Sequence, residues 1–79
     1  MEHFDQKLQS KYSNSEAINK ILNFYQSNTI YSKENVWKKI VDDEKLFMEV
    51  KKIGEIENLN TINMLCERYY LVVLSGFRF

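Results

Sequence analysis

The chain contains no proline and only two glycines, Gly54 and Gly76. Strand-rich folds of this size use those residues at their tight turns, so their scarcity argues against a sheet. Cysteine is also scarce. Cys66 stands alone, which excludes an internal disulfide and suits a reducing compartment. The single histidine, His3, has no neighbours at metal-ligand spacing, so neither a metal nor another cofactor is expected. No excess of one charge is present either, with eleven Lys plus Arg against eleven Asp plus Glu. That balance counts against nucleic acid as the partner and against an acidic mimic of it. The longest apolar run near the end, residues 69–74, is six residues long; a membrane span needs about twenty. The opening Met1-Glu2-His3-Phe4-Asp5 has neither the basic start nor the apolar run of a secretion signal. Together these absences lead us to expect a cytoplasmic protein, of a cell or of an infected host, with no membrane partner.

Catalytic constellations are missing as well. Cys66 lies on an apolar stripe without a base beside it and reads as a buried, inert thiol. Asp42, Asp43 and Glu44 are consecutive, without the looped spacing of a calcium site, and read as helix-capping residues. Glu55 and Glu57 have no partner for acid–base work. No catalytic residue and no small-molecule substrate are expected.

What remains is apolar material. The chain is 44% hydrophobic, with eleven aromatics and seven isoleucines among 79 residues, too much for a disordered chain. This length predicts one domain over 1–79, whose core alone nets only about 3–5 kcal/mol. Without disulfides or metals, association is the stabilising device left. Nine of the eleven basic residues are lysine, with many Asn and Ile beside them, the usage of an AT-rich microbial or phage genome.

Apolar residues recur at steps of three and four in several windows, which predicts an all-α, compact bundle of four to five short helices. A first helix is expected over 2–11, with Phe4 and Leu8 one turn apart. A second over 15–27 follows a Ser13–Glu16 capping box; Ile18, Ile21, Leu22 and Tyr25 form its face, with Ala17 and Phe24 to the side. A third over 33–42 starts after Ser32 as N-cap and carries Val36, Trp37, Ile40 and Val41. The Asp42-Asp43 pair then offers a stop and a new cap for a fourth over 44–53, with Gly54 just past its end, unless these two are one helix. Ile56 and Leu59 anchor a loop over 55–60. The last helix, 60–75, is the longest and most apolar; for residues 68–79 a strand competes, because Tyr-Tyr-Leu-Val-Val-Leu suits one.

That last helix is apolar on two sides. Ile62, Leu65, Cys66, Tyr69, Val72, Val73 and Gly76 make one stripe. Met64, Leu71 and Leu74, interrupted by Glu67 and Arg68, make a thinner one roughly opposite. A 79-residue chain has little else to cover both. Met64, Leu71 and Leu74, with Phe77 and Phe79 of the tail, are therefore the candidate partner-binding residues for a protein target or a second copy of the chain. The reading is a small non-enzymatic inhibitor or regulator of phage, mobile-element or bacterial type. The alternative is a helix-turn-helix-like DNA-binding regulator that uses residues 32–40, with Lys33, Asn35, Lys38 and Lys39 facing the duplex. Against it stand the absence of arginine from that helix and the acidic run that follows.

Overall fold

The computed structural model describes the backbone of residues 2–13 and 15–74 and the side chains of residues 6–13 and 15–69. Five helices and no strand occur among the described residues: α1 (Glu2–Lys11), α2 (Glu16–Gln26), α3 (Ile30–Val41), α4 (Glu44–Ile56) and α5 (Asn60–Leu74). The fold is all-α. Residues 68–74 are helical, so the strand alternative fails over that stretch; residues 75–79 lie outside the described part.

Each internal helix starts where a short polar side chain can take an orphan backbone N–H. Ser15 caps α2, its hydroxyl accepting from the Ile18 N–H at 3.3 Å. The expected Ser13–Glu16 box does not form, because Glu16 is already the first helical residue. Thr29 caps α3, its Oγ1 accepting from the Ser32 N–H at 2.9 Å. The helix therefore begins three residues earlier than expected, and Ser32 sits inside its first turn, its own hydroxyl accepting from Thr29. Asp43 caps α4, with Oδ1 accepting from the Leu46 N–H at 3.1 Å, so α3 and α4 are separate helices.

The end of α4 departs most from expectation. Gly54 does not terminate the helix; it is buried within it, and α4 continues to Ile56. A Cβ at residue 54 would stand 2.7 Å from Asn63 Oδ1 and 3.0 Å from Ile62 Cγ2, both on α5. The glycine is there so that two helices can approach closely. The stop comes from Asn58, at φ 58°, the left-handed conformation that asparagine tolerates better than most residues. Around it the Leu59 N–H donates to the Gly54 carbonyl at 2.9 Å, the six-residue wrap of a Schellman-type stop. Leu59 is buried as expected, whereas Ile56 is helical and 54% exposed rather than a loop anchor.

The core is continuous from Leu8 of α1 to Cys66 of α5. Ile21, Ile40, Val50 and Ile62, one from each of α2 to α5, are fully shielded. Burying a side chain of this size is worth about 1.5–3 kcal/mol. Ala17 and Phe24 are not peripheral: both are buried, because α2 packs on α3 as well as α4. A run of aromatic rings ties four helices together. Phe24 meets Trp37 (6.5 Å between centroids), Trp37 meets Phe47 (6.1 Å), and Phe47 meets Tyr69 (5.0 Å). Glu57, just past α4, accepts from Tyr12 Oη at 2.6 Å and pairs with Lys11 Nζ at 2.7 Å, latching the end of α1 onto the end of α4.

Candidate docking surface

Helix α5 divides into an inner and an outer face. Ile62 and Cys66 are fully buried, and Leu65 and Tyr69 are partly buried against the core. Met64 points away from them and is 57% exposed, and Glu67 and Arg68 beside it are exposed. Of the proposed outer stripe, Met64 is the one residue whose side chain is described. The side chains of Leu71 and Leu74, and the whole of Phe77 and Phe79, lie outside the described residues. Burial pushes the Cys66 thiol up to about 11, the state of a protonated core residue.

Other large apolar side chains reach solvent at positions that no apolar stripe marks. Ile30 (78% exposed) and Tyr31 (75%) open α3, and Met48 and Ile56 lie on the outside of α4. Ile30 and Tyr31 fall between the helices expected over 15–27 and 33–42; the earlier start of α3 turns them into neighbours in a helical first turn. Two shallow grooves flank the outer side of α4 and share Glu49 and Lys52. One, about 380 Å³, is lined by Lys45, Met48, Lys51 and Glu55 in addition, and the other, about 360 Å³, by Tyr12, Ser13, Ser15, Ile53 and Ile56. Both mix charges of either sign with apolar stems.

The four residues of the DNA-binding alternative do not share one free surface. Lys33 is half-buried; its Nζ donates to the Phe24 carbonyl at 2.8 Å and stands 4.9 Å from the centre of the Phe24 ring. That side chain closes the end of α2 and is not free to meet phosphate. Asn35, Lys38 and Lys39 are exposed, as are Glu34, one turn before Lys38, and Asp42, one turn after. Two acids therefore flank the two lysines.

Among the described residues no group of His, Cys, Asp or Glu is placed to hold a metal ion, and no helix is long and apolar enough to cross a membrane. Comparison with protein-family models, with curated proteins and with solved structures finds no match to this chain.

Proposed function

We propose that this is a small, non-enzymatic interaction protein, an inhibitor or regulator of phage, mobile-element or bacterial type. It acts in the cytoplasm by docking the outer face of α5 onto a protein target or onto its own copy. The observation that carries this reading is Met64: a large apolar side chain 57% open to water, on the helix whose other side packs Ile62 and Cys66 into the core. Thioether side chains suit such a role, since they adapt to varied partner surfaces. Glu67 and Arg68 beside it would rim the contact and set its register. The test is solution mass by light scattering across a concentration series, with Met64→Glu and Leu71→Glu as variants. Concentration-dependent association that either charge abolishes, with helicity by circular dichroism unchanged, supports the reading. Association untouched by both variants overturns it.

The second reading keeps α2 and α3 as a helix-turn-helix-like pair, joined by residues 27–29, with Asn35, Lys38 and Lys39 toward DNA. It requires duplex binding at low salt that falls steeply as salt rises and is lost in Lys38→Glu.

A further inference from the structure

The junction between α4 and α5 combines three features. The connection is short, residues 57–59, and its direction rests on Asn58 in the left-handed conformation, the single non-glycine with positive φ among the described residues. The seam it closes holds an imperfection: Asn63 Oδ1 is buried opposite Gly54 and makes no hydrogen bond. A buried unmet acceptor weakens the packing that surrounds it and eases opening of the seam, though it recurs unchanged when the seam re-forms between two chains. Finally, α5 is seated chiefly against α4, with Tyr69 on Phe47 and Ile62 beside Gly54.

We infer that α5 is an exchangeable helix. Residues 57–59 straighten, α4 and α5 run on as one helix, and the Ile62–Cys66–Tyr69 face of each chain packs into the α4 seat of a second copy. The occupant is a second copy because a released α5 face and a vacated α4 seat are each shaped for the other, and the partner chain offers both unaltered. Straightening returns Asn58 to the right-handed region that L-residues prefer and gives residues 57–59 helical hydrogen bonds in place of the stop. What opposes exchange is loss of the intramolecular connection and of the buried seat of Leu59, and the first makes the balance depend on protein concentration. A short connection held in a strained conformation is the kind that favours such exchange. This inference uses the inner face of α5 and is independent of the outer-face docking proposed above.

The test is refolding of the full chain over a range of concentrations, followed by size-exclusion chromatography with light scattering. Asn58→Gly, which sits without strain in the left-handed conformation, should lower the dimer-to-monomer equilibrium constant about twenty-fivefold, about fivefold at each of the two hinges, and Asn58→Ala should raise it by a similar factor. Met64→Glu should leave the dimer intact, because the outer face is not used. Dimers that ignore both Asn58 variants, or that Met64→Glu dissolves, overturn the exchange and assign association to the outer face. A monomer at every concentration in wild type and both Asn58 variants overturns it as well, and leaves docking onto a different protein untouched.

Discussion

Glu57 reaches across 45 positions of sequence to Tyr12 and one further to Lys11. Its hydrogen bonds from Lys11 and Tyr12 hold the carboxyl below the ordinary glutamate range, since both favour its ionised form. The same contact raises Tyr12, whose phenolic proton is held by Glu57. The signs differ for stability. A carboxyl whose folded pKa is depressed stabilises the fold fully above the ordinary glutamate value, and that contribution disappears as pH falls through the depressed one. A phenol whose folded pKa is raised stabilises below its ordinary value, and that contribution disappears as pH climbs through the raised one. The latch between α1 and α4 should thus weaken at both extremes. Glu57→Gln should lower the urea midpoint at about pH 7, and the gap to wild type should narrow as pH falls through the depressed range of the Glu57 carboxyl. An unchanged gap would assign Glu57 to packing rather than charge. Nothing in the sequence joins Tyr12 to Glu57; their pairing exists only once α4 has carried residue 57 back to the end of α1.

Among the elements, the apolar spacing was legible and the punctuation was less so. Steps of three and four located all five helices, and the Asp42-Asp43 pair offered a stop and a cap without deciding between one helix and two; the Asp43 cap on the Leu46 N–H decides it. The local pattern points to Ser13 and Ser32 as caps, and the structure puts Ser15 and Thr29 in those places, because the role of a hydroxyl depends on where the helix starts. Gly54 was misread for a similar reason. A helix-ending glycine and one that admits a neighbouring helix look alike until Asn63 is seen beside it. These corrections can be checked together. Ser15→Ala, Thr29→Ala and Asp43→Ala should each cost about 1 kcal/mol in chemical denaturation, whereas Ser13→Ala and Ser32→Ala should stay within about 0.5 kcal/mol. Equal losses at Ser13 and Ser15 would mean that both hydroxyls share the start of α2.

For the whole molecule the governing fact is a small core spread over five helices. Its total stability is of the order of 3–5 kcal/mol, so the inner face of α5 is a substantial fraction of what keeps the chain folded. Of the thinner outer stripe Met64 is exposed and the other members lie outside the described side chains, whereas the exposure of Ile30 and Tyr31 follows from where α3 starts and has no sign in the apolar spacing. Two residues on one helix separate the roles of its faces. Ile62 is fully shielded, and Ile62→Ala removes a buried side chain without anything to fill the space, a loss of about 3 kcal/mol. That leaves about 0–2 kcal/mol of stability, visible as a broad, early melt. Met64 is mostly in water, and Met64→Ala should move stability by less than about 0.5 kcal/mol at dilute concentration. If the outer face docks onto a partner, the order reverses in a binding measurement: Met64→Ala then weakens the complex while the free protein melts as wild type does. A large loss of dilute stability on truncating Met64 would show instead that the side chain is covered within the monomer, and the outer face would cease to be available for docking.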